Sequence, residues 1–299
     1  MSGVTIKTPK EIEIIRQGGA ILSRILKQVA GRAKIGVTTQ ELDELAEKLI
    51  IKAGGRPAFK NFSEKDARPF PTTLCTSIND EVVHAPAVPG RVLKNGDLLK
   101  IDIGMCWPVH NSPQPPLILR GGDANDPPLK IRPMARSARL IEGGEGGVMS
   151  TGFYTDMAIT VPVGKISKLA RRLMDVTREA LVVGIKQVRS GGRTSDIGKA
   201  IQKYVEGEGF GVVRDLVGHG VGYKVHEPPS IPNFWKQNMT DCVLKEGMVI
   251  CIEPMVIADG WQIRVKDDDW TIASADGTLA AHFEHTIAVT KTGSRILTL

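Results

Sequence analysis

Four carboxylates and three histidines stand at positions where chemistry is the economical reading. Asp102 closes the apolar run Leu98-Leu99-Lys100-Ile101, and Glu253 closes Val249-Ile250-Cys251-Ile252. Asp156 follows Phe153-Tyr154-Thr155 and Glu284 follows Phe283, each leading into a β-rich run. Taken singly, an acid after an apolar strand often caps a helix, and a Glu beside a His often lies on a surface. Four of them matched inside apolar strands have no such excuse. Burial strips their hydration and each repels the others, so they stay ionised only when paired or bound to metal. His84 and His226 lie in Pro-bounded loops, Val83-His84-Ala85-Pro86 and Val225-His226-Glu227-Pro228. His219, in Gly218-His219-Gly220-Val221-Gly222, has no histidine counterpart earlier in the chain, where the equivalent position is Ser77, and is a candidate fifth ligand. A donor set rich in carboxylate and poor in histidine suits hard or borderline divalent ions. Two such ions, roughly 3.5 to 4 Å apart, can share a hydroxide and clamp a carbonyl, which is hydrolytic chemistry. His110 lies in a Pro/Gly-rich stretch, and His282 and His285 flank Glu284 in its strand; all three read as structural. The cysteines read as core or pocket residues.

The elements that must position these residues come from a diverged duplication. Lys27-Gln28-Val29 followed by Gly36 and Thr38-Thr39 matches Lys186-Gln187-Val188 followed by Gly192 and Thr194-Ser195. In the first half, Thr8-x-x-Glu11 and Thr38-x-x-Glu41 read as capping boxes, and Leu42, Leu45, Leu49 and Ala53 recur at helical spacing. The second half offers helices over Leu169 to Val188 and Ile197 to Val205, stopped by Gly207 and Gly209. The run Leu93 to Asp102 then aligns with Leu244 to Glu253, both as buried strands, so Asp102 corresponds to Glu253 and His84 to His226. The strand of Asp156 likewise corresponds to that of Glu284. The fold class is therefore mixed α/β (α+β), one catalytic domain over 1–299 built from pseudo-symmetric halves at about 8–161 and 165–299. If the halves pack about a twofold axis, the four acids converge on it. From about Trp107 to Gly152 the pattern is interrupted by seven Pro and seven Gly, which reads as an inserted surface loop.

Composition narrows the class further. With 41% hydrophobic and 24% charged residues in 299, disorder, collagen and coiled coil are out. The net charge of +6 suits a polyanion such as the ribosome nearby, but no Lys/Arg run or aromatic-basic stripe points to specific DNA or RNA readout. The first residues contain neither a signal peptide nor a membrane anchor, so a cytoplasmic location is expected. Cys75, Cys106, Cys242 and Cys251 form no CxxC pair, which suits reduced thiols.

At these residues the chain resembles the methionine aminopeptidases, type I, of the pita-bread metallohydrolase superfamily, over nearly its whole length except the insertion. The resemblance implies a pita-bread fold, a curved antiparallel sheet covered by helices. It implies that Asp102, Asp156, His219, Glu253 and Glu284 bind two divalent ions (Mn, Fe, Co, Ni or Zn). Asp102 would chelate one, Asp156 and Glu284 would bridge, and His219 and Glu253 would complete the other. Glu253 also resembles the family's proton acceptor. His84 falls on the histidine near the scissile amide and substrate amine, and His226 on the one that stabilises the tetrahedral intermediate. By the same resemblance Cys75, Phe59, Phe62, Phe70 and Trp270 line the methionine pocket. The implied substrates are N-terminal Met peptides and nascent proteins with a small second residue, handled by a monomer near the ribosome. Two rivals are an Xaa-Pro-type aminopeptidase of the same fold, which normally carries an N-terminal domain before the repeat, and a non-enzymatic pita-bread binding protein, which would lack ligands. A type II enzyme would need a helical insertion between His219 and Glu253.

Overall fold

Thr8 and Thr38 open the first two helices as expected. Each threonine hydroxyl accepts the backbone N–H three residues on, and Glu11 or Glu41 accepts the threonine's own N–H in return. The computed structural model describes residues 3–63, 68–109 and 152–299. The segment 110–151, with His110 and most of the expected insertion, lies outside them.

The first half runs α1 (Pro9–Arg32), α2 (Thr39–Lys52), β1 (Arg56–Pro57), β2 (Leu74–Ile78), β3 (Glu81–Val83), β4 (Leu98–Trp107) and β5 (Phe153–Pro162). The second runs α3 (Lys168–Ile185), α4 (Thr194–Gly207), β6 (Gly211–Val212), β7 (Val217–Gly220), β8 (Glu227–Pro232), β9 (Val249–Ile252) and β10 (Met255–Ile257). It ends with β11 (Ile263–Val265), β12 (Ile272–Ser274), β13 (Ala280–His282), β14 (His285–Val289) and β15 (Ser294–Ile296). The order is two helices, then strands, then two helices, then strands. Differences are local: α3 begins on a Ser167 cap and ends at Ile185, short of Val188, and the strand expected from Leu93 starts at Leu98.

Every strand pairing is antiparallel, with β1, β2 and β5 flanking β4 in the first half and β15-β14-β9-β7-β8 in the second. The period of two along each strand divides structure from chemistry. Ile101, Ile103 and Met105 of β4, with Met157 of β5, pack against Leu22, Leu26, Leu42 and Ile50 of α1 and α2. Ile250 and Ile252 of β9 pack likewise against Leu173, Ile197 and Ile201 of α3 and α4. The alternate positions, Asp102 and Gly104 on β4 and Cys251 on β9, turn to the other face. Burying each of these Ile or Leu side chains contributes roughly 1.5–3 kcal/mol, so the register that aims the acids is held by the helical side.

The two half-sheets meet along one seam. Ala158 accepts from the N–H of Glu284 at 2.9 Å, and Asp156 N–H donates to Thr286 Oγ1 at 3.0 Å. The Thr286 hydroxyl donates back to the Asp156 carbonyl at 2.7 Å. Thr160 and His282 exchange a similar pair at 2.7 and 2.9 Å. These links tie β5 to residues 282–286 along its length.

Candidate metal centre

The β4–β5 register sets Asp102 opposite Ala158 and Gly104 opposite Asp156, so the two aspartates are diagonal neighbours on the face away from the helices. Glu284 reaches the same point from across the seam. Ligand atoms of Asp102, Asp156 and Glu284 all lie within 4.8 Å of one another, and so do those of His219, Cys251 and Glu284. Glu284 therefore belongs to both donor groups. Glu253 stands where Pro254, which has no N–H to give the ladder, breaks β9 from β10. Its Oε1 lies 3.6 Å from His219 Nε2.

The histidine tautomer follows from its partner. His219 Nδ1 is 2.9 Å from the Gly220 carbonyl, which can only accept, so Nδ1 carries the proton and the lone pair of Nε2 faces the carboxylates. Burial, with the nearby His226, holds the His219 pKa down to about 3, so the ring is neutral. A lone pair aimed at a carboxylate oxygen needs a cation or a proton between them. The acids give the same indication. Asp102 Oδ1, Asp156 Oδ1 and Glu284 Oε1 are buried and, among the described residues, have no hydrogen-bond partner. Burial raises the Asp102 pKa to about 7. Burial and then Glu284 push Asp156 up, burial and then Glu253 push Glu284 up, and burial and then Asp102 push Glu253 up. Orphaned oxygens, mutual repulsion and a bare imidazole nitrogen fit divalent cations.

A pH dependence follows for protein stripped of metal. Carboxylates whose folded pKa is raised, to about 7 for Asp102, hold protons that the unfolded chain releases near pH 4. Their stabilising effect is full below about pH 4 and is lost as pH rises through about 7. In EDTA the melting temperature should therefore fall between pH 5 and 8, and excess divalent metal should flatten or reverse that trend, because protons compete with metal. A chelated protein whose melting temperature rises across that range would contradict the assignment.

His84 and His226 are exposed, as groups that meet a substrate must be. His84 holds a left-handed backbone with φ 60°, a conformation that costs a non-glycine residue about 1–3 kcal/mol and concentrates at functional sites. The His226 ring lies 4.5 Å from that of His219 and 5.4 Å, edge-on, from Phe62. Cys75 pairs with Asp102 across β2 and β4, and burial followed by Asp102 raises its thiol well above the usual range. Phe59 covers Gly104, where an added Cβ would come within 2.8 Å of the ring. Phe70 packs edge-on against Trp270 at 5.3 Å. The structure thus sets Phe59, Phe62 and Cys75 beside the acids and their histidines, and ties Phe70, which packs on Trp270, to the same segment through its N–H to the Phe62 carbonyl at 2.8 Å.

A model of metallopeptidase family M24 matches residues 13–112 and 145–291. The chain belongs to this family. Relatives of the M24 chain span its full length. Methionine aminopeptidase 1 of Bacillus subtilis is 39% identical over 99% of both chains, and the methionine aminopeptidase of Clostridium perfringens is 37% identical over the same shares. The crystal structure of a methionine aminopeptidase from Thermotoga maritima superposes with a TM-score of 0.80 at 34% identity, covering 99% of each chain. The prolidase from Pyrococcus horikoshii shares the fold, with a TM-score of 0.67 at 19% identity, but this chain covers only 63% of it. The pita-bread architecture, with antiparallel sheets under helices, is the one expected from the sequence.

Two residues of this M24 site were missed or misplaced in the sequence. His282 reads as structural there, yet its Nε2 lies 3.8 Å from Glu253 Oε2, and both ring nitrogens are buried without a hydrogen-bond partner among the described residues. The signal was its place two residues from Glu284, at the end of β13 where the chain turns into the cluster of acids. Cys251 shares a donor group with His219 and Glu284, but burial and then the Glu284 charge raise its pKa well above the usual range, so it is a thiol donating towards that carboxylate rather than a thiolate. His285 is structural as expected, bound to the Thr298 hydroxyl at 2.9 Å. Among the described residues no helix is long and apolar enough to cross a membrane.

Proposed function

We propose that this M24 protein is a type I methionine aminopeptidase that removes the initiator methionine from proteins whose second residue is small. The observation that carries the reading is the pair of donor groups sharing Glu284, in a chain whose full-length relatives bear that name. Two divalent ions, of Mn, Fe, Co, Ni or Zn, would be held by Asp102, Asp156, His219, Glu253 and Glu284. When bound, they supply Lewis acidity towards the scissile carbonyl and a hydroxide nucleophile at neutral pH. Glu253, between His219 and His282, takes the proton released in attack and passes it to the leaving amine. His226 donates to the oxygen that gains charge as the carbonyl is attacked, and His84 orients the scissile amide and the substrate amine. Phe59, Phe62 and Cys75 form the methionine wall nearest the acids, and Phe70 with Trp270 the outer wall.

Type I is supported by the path between His219 and Glu253, which holds β8 and no helix. The presence of Asp102, Asp156, His219, Glu253 and Glu284 together supports a metal enzyme over a metal-free binding protein. Identity of 39% with methionine aminopeptidase 1, against 19% with the prolidase, disfavours Xaa-Pro cleavage. The remaining assignments belong to the same proposal: one domain of two halves, at about 8–161 and 165–299, a surface excursion at 107–152, a cytoplasmic monomer, nascent proteins as substrates and the ribosome as a neighbour. For the excursion, the support is that Trp107 pairs directly with Phe153, so its ends lie side by side and the site does not depend on its length. The test is metal-dependent release of methionine from a Met-Ala-Ser peptide, with Leu-Ala-Ser and Xaa-Pro peptides as controls. Release only from Xaa-Pro peptides, or release undiminished by chelation, would reject the reading. Met-Ala peptides should be cleaved at least about tenfold faster than Met-Arg peptides, since one misfitting side chain costs about 1–3 kcal/mol in a closed pocket. Equal kcat/KM for the two would remove the second-residue rule.

A further inference from the structure

Glu227 directly follows His226 and does not face the metal centre. It turns inward, where its side chain is 3% exposed, and meets the ammonium of Lys7, 1% exposed, at 2.7 Å. Four donors converge on this one carboxylate. Oε2 accepts from Lys7 Nζ and the Thr5 hydroxyl, and Oε1 accepts from the backbone N–H groups of Tyr223 and Lys224. The loop from Val221 to Glu227, which runs from just after His219 to His226, is therefore folded around the Glu227 carboxylate. Its outer cover is the start of the chain.

That cover is fixed on every side. Lys7 N–H donates to the Gly247 carbonyl at 2.8 Å, and its ammonium lies 5.1 Å over the Tyr223 ring. The Tyr223 hydroxyl donates to Glu11 Oε1 at 2.9 Å, and Glu11 is the acid of the first capping box. Gly222, at φ +136°, leaves the space into which Lys7 Cε fits, for an added Cβ would come within 2.6 Å of that carbon. The Gly222 carbonyl in turn accepts from Tyr154 N–H at 2.7 Å, two residues before Asp156. Residues 5–11 thus reach both the His226 loop and the strand of a metal-ligand aspartate.

We propose that Lys7 and Glu227 are positioning residues for the peptidase reaction, a buried ion pair through which the N-terminal segment holds His226 at the scissile carbonyl. The proposal rests on the reading of His226 as the group that donates to the developing oxyanion. Neither side chain touches substrate or metal. Losing Lys7 leaves the carboxylate short of its strongest donor, so the loop relaxes and the imidazole loses its aim, while Asp102, Asp156 and His219 sit on β4, β5 and β7, and Glu253 and Glu284 stand at the ends of β9 and β14, strands held by the buried cores.

The experiment measures kcat, KM and metal affinity on the metal-saturated enzyme with a Met-Ala-Ser peptide, for wild type, Lys7→Met, Glu227→Gln and His226→Ala, and for Lys7→Met combined with His226→Ala. Lys7→Met and Glu227→Gln should each lower kcat roughly 10- to 100-fold, the range for supporting residues around a metal site, with KM and metal affinity within about threefold of wild type. In the His226→Ala background, Lys7→Met should have no further effect on kcat, because the group it acts through is gone. Unchanged kcat in Lys7→Met, an effect confined to metal affinity, or losses that multiply in the combined variant would each overturn the proposal. If Lys7→Met fails to fold, Thr5→Val removes a single hydroxyl from the same carboxylate and should lower kcat severalfold without changing KM; no change there would count against the pair equally. A wild-type enzyme that does not release methionine would instead reject the functional reading beneath it.

Discussion

Replacing Asp156 or Glu284 with Ala is expected to lower methionine release by roughly 10³-fold or more, several kcal/mol of transition-state stabilisation at about 1.4 kcal/mol per decade. Each is buried, each has an orphaned oxygen, and Glu284 is common to both donor groups, so its loss damages both at once. Without metal the sign reverses for stability. Removing one of several mutually repelling buried acids relieves the others, so metal-stripped Asp156→Ala and Glu284→Ala should melt at or above the temperature of stripped wild type. Added metal should raise the melting point of wild type, by the equivalent of about 2.7 kcal/mol at a hundred times the dissociation constant, and do much less for the variants. Folded variants retaining near wild-type turnover would remove both residues from the centre.

His226→Ala should lower kcat roughly 10²- to 10³-fold, the usual effect of losing one donor to a developing oxyanion, and leave bound metal unchanged. The expected asymmetry comes from position. His226 is exposed and lies in a loop, whereas His219, 4.5 Å away ring to ring, is fixed by the Gly220 carbonyl with its Nε2 turned to Glu253. Calorimetric titration with Mn²⁺ or Co²⁺ separates the cases: a variant that loses metal would make His226 a ligand. The neutral His219 ring, by contrast, should be essential to metal retention.

The candidate ligands were legible in the sequence because the repeat supplied an internal control. Asp102 and Glu253, or Asp156 and Glu284, mean little alone, but their matched places in apolar strands pair residues that the fold brings across the seam. His219 was legible as the break in that symmetry. His282 was lost because a histidine beside a candidate ligand reads as filler until its ring is placed against Glu253. The Lys7–Glu227 pair was not legible at all, since its partners are 220 positions apart and neither carries a local motif. The aromatic candidates lay between these extremes: each was named, but only three-dimensional packing shows Phe62 against His226 and Phe70 against Trp270.

The seam between the half-sheets has a consequence for how the protein comes apart. Its links, Asp156 to Thr286 and Thr160 to His282, join positions 130 and 122 residues apart, and no single stretch of chain brings three of the acids together. Each half can gather its helices and strands through contacts closer in sequence, but the cage closes only when the halves dock, a late event because long-range pairing must first meet the entropy of closing a long loop. Opening should run the same way. Local fraying at α2 or at β15 leaves every acid in place, whereas parting of the seam separates Asp102 and Asp156, neighbours across β4 and β5, from Glu253 and Glu284. A divalent ion held by acids from both sides would then act as a latch across this seam, and its release rate would report how often the two sides part.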